Sequence, residues 1–158
     1  MYNKILLTSD GSKNSEFAIK HALQIAADEG AEVIVLHAVD SKHLSSIPEE
    51  TIEAGDTKFE EYSDKVLEQF ENVIKKLEEE KDEKNQVKIR KLSLEGKPCD
   101  VILKVCDKEG IDMIVMSNSG KNKVDRFLLG SVTEKIIREA PVPVLVIPAN
   151  YTPLSQRK

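Results

Sequence analysis

The chain has 158 residues, of which 40% are hydrophobic and 32% are charged, and its formal net charge at pH 7 is -5. This length and composition predict one globular domain with a sizeable core at residues 1–150, followed by a polar tail at 151–158 that we expect to fray. The negative charge argues against nucleic-acid binding by general electrostatics, and no apolar run is long enough to span a membrane. Because the N-terminus lacks a signal-peptide pattern, we expect a cytoplasmic protein.

Cysteine and histidine are too few and too scattered to predict a metal site made of protein ligands alone. Cys99 and Cys106 are seven residues apart, which on one helix puts them about two turns apart, too far for a disulfide. We interpret both as core residues. The three histidines show no metal-binding spacing, and His37 is interpreted as the end of a strand and not as a catalytic group.

The first half of the chain alternates short apolar runs with helical patterns. Residues 5–7 and 33–36 are continuous apolar runs of the kind that form buried parallel strands. Between them a helix is predicted, with apolar residues on one stripe and Gly30 as its end. Residues 41–56 are predicted to be an irregular connection, which leads into a long amphipathic helix with apolar side chains every three or four residues up to Leu77.

The second half continues the alternation. A third strand is predicted over 87–92, and its three basic residues suit an edge position in a sheet. A third helix should begin near Pro98 and end at Gly110. A fourth strand, a helix at 132–139 and a fifth strand at 144–147 complete the pattern.

This alternation predicts an α/β fold, namely an open doubly wound sheet of five parallel strands in the Rossmann-like order 3-2-1-4-5, with helices on both faces. In that order the first and fourth strands are neighbours at the switch point. Ligands of such sheets bind there, outside the carboxyl ends of the strands. The residues that we expect at this edge are Thr8, Asp10, Ala38, Met116, Ser117 and Gly120.

A loop of small residues leads from the fourth strand to the fourth helix and suits a phosphate group. Gly120 and Gly130 allow close approach of the backbone to a ligand, and the start of the helix offers free N–H groups and a favourable dipole. Ser131 adds a hydroxyl donor, and the intervening loop is basic. Glycine and serine also form ordinary loops and caps, so spacing alone leaves both interpretations open. The location at the switch point favours the phosphate.

In several segments the sequence resembles the universal stress protein family. These segments are spread along nearly the whole chain and comprise residues 4–7, 10–12, 35–40, 96–98, 112–116, 128–135 and 140–146. The ATP-binding branch of that family carries Gly-x-x-Gly, nine residues, then Gly-Ser or Gly-Thr. Gly120, the nine-residue spacer, Gly130 and Ser131 match this motif, whereas Ser117 replaces its first glycine. Thr8 stands where relatives often have proline.

The resemblance implies a role for each matching residue. It places Asp10 beside the adenosine, where the carboxylate could help to hold Mg²⁺ with the phosphates, and the backbone of Ala38 against the adenine. It places the ribose and the first phosphates beside Met116, Ser117 and Gly120. It places the phosphate tail on Gly130, Ser131 and Val132.

The resemblance therefore implies an ATP-binding regulatory protein of the stress response, with at most slow ATP hydrolysis. No strong catalytic set is present in the sequence, so we assign no catalytic residue and expect at most a weak ATPase. An adenylating enzyme is disfavoured because residues 8–12 lack the paired glycines of that group. The resemblance also implies a homodimer, which we place on the apolar edge strand at 142–147.

The serine at position 117 leaves an alternative open. If that position needs a positive φ, serine would be strained, and if it needs close approach, the side chain could block the ligand or add a hydrogen bond. A family member without nucleotide would be a dimeric stress protein that acts through protein partners. Retention of Gly120, Gly130 and Ser131 favours the ATP-binding branch.

Overall fold

A parallel sheet of five strands forms the middle layer of the computed structural model, which describes residues 1–8, 15–39, 57–79, 86–118, 130–148 and 150–158. Its strands are β1 (Lys4–Thr8), β2 (Glu32–Val39), β3 (Ile89–Glu95), β4 (Met113–Ser117) and β5 (Val144–Ile147). The order across the sheet is β3-β2-β1-β4-β5. The predicted fold class and strand order are confirmed.

In the described parts of the chain, four helices cover the two faces of this sheet: α1 (Ser15–Glu29), α2 (Thr57–Glu79), α3 (Pro98–Glu109) and α4 (Ser131–Glu139). The apolar side chains of α1 and α2 pack on one face, and those of α3 and α4 pack on the other. As predicted, α3 begins at Pro98, whose missing N–H has no partner to lose at a helix start. Gly110 ends α3 in the left-handed conformation, with φ of 66°.

The three central residues of strand β1 are apolar because both of its faces are covered. Ile5 and Leu7 point into the cluster under α1 and α2, while Leu6 points into the cluster under α3 and α4. All three side chains are buried, and Leu6 lies between Ile34 of β2 and Ile114 of β4 in the strand register. A continuous apolar run is the pattern expected of a central parallel strand.

Strand β3 lies at one edge of the sheet, as its basic residues predicted, and those residues are paired with acidic neighbours. Arg90 contacts Glu32 of β2 and the carboxylate of Glu109 in α3. Lys91 pairs with Glu71 of α2. Charged side chains on an edge strand discourage unwanted pairing with another chain. In the parts of the chain that the structure describes, no helix is long and apolar enough to cross a membrane.

The amino ends of β1 and β4 are tied together by one carboxylate. Oδ2 of Asp112 accepts the backbone N–H groups of Asn3 and Lys4 at 2.7 and 2.9 Å. These two hydrogen bonds lower the pKa of Asp112, because they stabilise its ionised form. The side chain of Lys4 adds a bond from Nζ to the carbonyl oxygen of Glu109 at 3.0 Å.

The segment after β5 returns to the surface of α1. The ring of Tyr151 meets the rings of Phe17 and His21 edge to face, with centroids 5.0 and 5.2 Å apart. A single turn of 3₁₀-helix follows at Leu154–Gln156. The expectation of a fraying tail thus differs from the structure at Tyr151, since an aromatic ring can anchor a segment that is otherwise polar.

Candidate functional site

Three of the predicted site residues lie on one side of the carboxyl edge of the sheet. Thr8 is the last residue of β1, and it is paired in register with Leu36 and Met116 in the neighbouring strands. Side chains alternate between the faces of a strand, so Thr8 and Met116 project on the side of α3 and α4, where Ala38 also packs. This is the side on which α4 begins.

Ser117 lies at the same edge but projects to the opposite side. It follows Met116, so its side chain is on the side of α1, and it is 8% exposed. Among the described residues no φ angle is positive except at glycine, so Ser117 is not held in a left-handed conformation. The concern that serine would be forced into a glycine conformation does not apply at this position.

The first turn of α4 presents backbone donors at this edge. Gly130 is the N-cap residue, and the first bond within the helix runs from the N–H of Glu134 to the oxygen of Gly130 at 2.9 Å. The amides of Ser131, Val132 and Thr133 precede that bond, so they have no acceptor inside the helix. They lie at the positive end of the helix dipole, which makes this turn suitable for an anion.

Asn118 joins this turn to the sheet, and sequence reasoning did not assign it to the site. Its Oδ1 accepts the N–H of Gly130 at 3.1 Å. Its own N–H donates to the oxygen of Ile147 at 2.8 Å and so extends the ladder between β4 and β5. An asparagine directly after a strand and before a glycine-containing loop was the available signal, but its partner is twelve residues away along the chain.

The backbone of Gly130 does not require a glycine. Its φ of -56° is accessible to any residue. A β-carbon at this position would lie 3.6 Å from Oδ1 of Asn118 and 3.9 Å from Oγ1 of Thr133, both ordinary contact distances. Among the residues that the structure describes, none requires a glycine at this position, whereas a ligand close to the backbone would account for it.

The first turn of α3 contacts the first turn of α4. Sγ of Cys99 lies 3.9 Å from the oxygen of Val132. Burial raises the pKa of the Cys99 thiol, which keeps it protonated and able to donate to this oxygen at neutral pH. Cys106 is buried in the core, and both cysteines are free thiols, as predicted.

Two of the predicted site residues, Asp10 and Gly120, lie outside the described residues, as does the basic loop between the glycines. The structure thus brings together Thr8, Ala38, Met116, Ser117, Gly130, Ser131 and Val132 at one edge of the sheet. Within the described ranges no group of three or more histidine, cysteine, aspartate or glutamate residues could hold a metal ion. The arrangement can bind an anion at α4 and a flat apolar or polar group along the strand ends.

The chain matches known proteins along most of its length. The model of the universal stress protein family matches residues 1–148. The universal stress protein MJ0531 of Methanocaldococcus jannaschii is 37% identical over 147 residues, which are 93% of this chain and 82% of that protein. The universal stress protein MJ0577 of the same organism is 34% identical and covers 93% of this chain and 95% of its own length.

Solved structures share the fold. The structure of MJ0577 has a TM-score of 0.74 and covers 96% of this chain and 99% of its own. A universal stress protein in complex with cAMP is 23% identical, with a TM-score of 0.65, covering 93% and 97%. A universal stress protein from Archaeoglobus fulgidus in complex with dAMP is 20% identical, with a TM-score of 0.60, covering 92% and 98%. Because the family model spans nearly the whole chain, the protein belongs to the universal stress protein family.

Proposed function

We propose that this protein binds ATP at the carboxyl edge of its sheet and acts as a nucleotide-dependent regulator with at most slow hydrolysis. The observation that carries the proposal is the start of α4, where three amides without helical acceptors follow Gly130. A glycine that the backbone does not need leaves room for a phosphate beside that turn. Both features fit a phosphate group.

The other strand ends supply the rest of the nucleotide site. Thr8 and Met116 project on the side where α4 begins, and Ala38 lies on that side at the end of β2. We assign the adenine to the neighbourhood of Ala38 and the ribose to the ends of β1 and β4. Two proteins with this fold form complexes with cAMP and dAMP, which supports an adenine nucleotide as the class of ligand.

The phosphate end would be held by the first turn of α4. The backbone N–H groups of Ser131, Val132 and Thr133 would donate to phosphate oxygens, and the exposed hydroxyl of Ser131 could add a further bond. The negatively charged oxygens of a bound triphosphate could bind Mg²⁺. We retain Asp10 as the residue that would help to place that ion. Gly120 remains assigned to the first phosphates.

The orientation of Ser117 supports tolerance of serine at the first glycine position of the motif. Its side chain projects toward α1, away from the side that carries Thr8 and Met116. The added CH₂OH group would therefore not fill the space next to α4. We expect Ser117 to be compatible with the nucleotide.

The first test is to denature freshly purified protein and to identify any released nucleotide by mass spectrometry, followed by calorimetry with ATP and Mg²⁺. Gly130→Ala should preserve the fold but weaken ATP binding by at least about tenfold, since a methyl group would occupy the space next to the phosphate. Gly30→Ala is the matched control. It lies at the opposite edge in open space with φ of 69°, so it should lower stability by about 1 kcal/mol and leave ATP affinity unchanged.

If the wild type releases no nucleotide and binds no ATP, this proposal is wrong. The alternative is then a nucleotide-free dimer that acts through protein partners. The feature that favours dimerisation in either case is β5, whose residues Val144, Leu145 and Val146 are half-buried on the free edge of the sheet. We propose a homodimer through residues 142–147.

A further inference from the structure

Asn118 lies where three elements converge. Through its backbone N–H it bonds to the last residue of β5, and through its side-chain oxygen it bonds to the N-cap residue of α4, while it directly follows β4. The bond to Gly130 joins two residues that are twelve positions apart in the chain. Closing a loop of this size reduces the conformations available to both of its ends.

We propose that Asn118 is a positioning residue, which holds the first turn of α4 against the sheet in the orientation needed to bind phosphate. The proposal rests on the nucleotide site described above. Oδ1 of Asn118 accepts a hydrogen bond from the N–H of Gly130, which restrains the N-cap residue of α4. The three amides that follow in the helix are oriented with it. A turn that is already oriented loses less entropy when the ligand binds.

The same bond changes the role of Gly130. Its N–H is directed to Asn118 and not to a ligand, so the glycine contributes space instead of a hydrogen bond. The phosphate donors begin one residue later, at Ser131. This assignment differs from the implication of the family motif, in which the backbone of Gly130 would itself donate.

A positioning role predicts a selective effect. The contact of Asn118 is with α4, whereas the strand ends next to Ala38 are on the far side of β1. Loss of the contact should therefore weaken the binding of nucleotides that carry phosphates and leave the affinity for adenosine unchanged. A purely structural role would lower stability without changing the ratio of the two affinities.

The test uses Asn118→Leu, which has a similar shape but no acceptor, with Asn3→Leu on the exposed amino edge as the matched control. Calorimetry should give at least about tenfold weaker ATP binding for Asn118→Leu and adenosine affinity within about twofold of the wild type. Amide hydrogen exchange at Gly130, followed by NMR, should be faster by about tenfold. Asn3→Leu should change none of these values.

Asn118→Asp provides a second measurement that does not depend on nucleotide. An aspartate retains the acceptor, so protection of the Gly130 amide should return to the wild-type level or above. Equal loss of ATP and adenosine affinity in Asn118→Leu, or unchanged exchange at Gly130, would overturn the positioning role. If the wild type itself binds neither ligand, the nucleotide function fails first, and the exchange data then tell whether the hydrogen bond exists without that function.

Discussion

The rings of Phe17 and Tyr151 meet edge to face with their centroids 5.0 Å apart and their planes at 66°. This contact joins the first turns of α1 to the segment that follows β5. Tyr151→Ala should therefore lower the free energy of unfolding by about 1–3 kcal/mol, through lost burial and the lost ring contacts. Chemical denaturation measures the change. Leu154→Ala in the same segment, where the side chain is 79% exposed, should be nearly neutral, and equal effects of the two changes would contradict the anchor.

Gly96→Ala should be among the more destabilising single substitutions outside the core. Gly96 has φ of 148°, and a β-carbon added to it would lie 2.8 Å from Cγ2 of Val101. The variant suffers both backbone strain and a clash, and we expect a loss of about 2–4 kcal/mol in thermal or chemical unfolding. Gly110→Ala is the control, because it has a positive φ but open space around it, and it should lose about 1 kcal/mol. A smaller loss at Gly96 than at Gly110 would rule out the clash.

The carboxylate of Asp112 should make stability depend on pH. Its pKa is lowered in the folded state by the N–H groups of Asn3 and Lys4, so its contribution is present above the ordinary value of 3.8 and is lost as the pH falls through the folded pKa. Asp112→Asn should be less stable than the wild type by about 1–2 kcal/mol at pH 7. The difference should shrink toward zero in urea unfolding below about pH 4. Asp107→Asn, an exposed control in α3, should change the free energy of unfolding by less than about 0.5 kcal/mol at pH 7.

The direction of the backbone hydrogen-bonding groups of β5 supports the proposed dimer. The oxygens of Pro143 and Ile147 accept bonds from the N–H groups of Ile114 and Asn118, so in a parallel strand the N–H and C=O groups of Val144 and Val146 point away from β4. Val144→Asp should place like charges near each other across a two-fold axis and give monomers in light scattering after size exclusion.

The same substitution on the opposite edge is the control for that experiment. Leu94→Asp changes an apolar side chain of β3 that is 37% exposed, and it should leave the dimer intact. If Leu94→Asp dissociates the dimer while Val144→Asp does not, the interface lies at the other edge. A wild type that remains monomeric throughout the concentration range would exclude both edges.

Much of the fold could be predicted because the strongest signals are periodic and local. The apolar run at β1 indicates a strand buried on both faces, and Pro98 and Gly110 mark the ends of α3 through properties of their own backbones. The bounds of β5 agree with the prediction to the residue. Strand order followed from topology rules, which act on the pattern of elements and not on individual side chains.

The site was harder to predict from the sequence because its decisive contacts join distant parts of the chain. The acceptor role of Asn118 depends on Gly130, and no local pattern links an asparagine to an amide twelve residues later. The orientation of Ser117 could have been derived by counting along β4, because successive side chains of a strand point to opposite faces and Ser117 follows Met116. Tyr151 was included in a polar tail because composition is averaged over a whole segment. The contact of the segment with α1 depends on the single ring of Tyr151.

The central place of β1 affects how the polypeptide acquires its structure during synthesis. Ile5 pairs with Val33 early in the chain, but its other neighbour is Met113, so the central strand keeps one open side until β4 has been made. Such long-range pairing raises contact order and slows folding. The nascent N-terminal half should therefore require protection by chaperones or rapid completion of the chain, and fragments that end before β4 should aggregate.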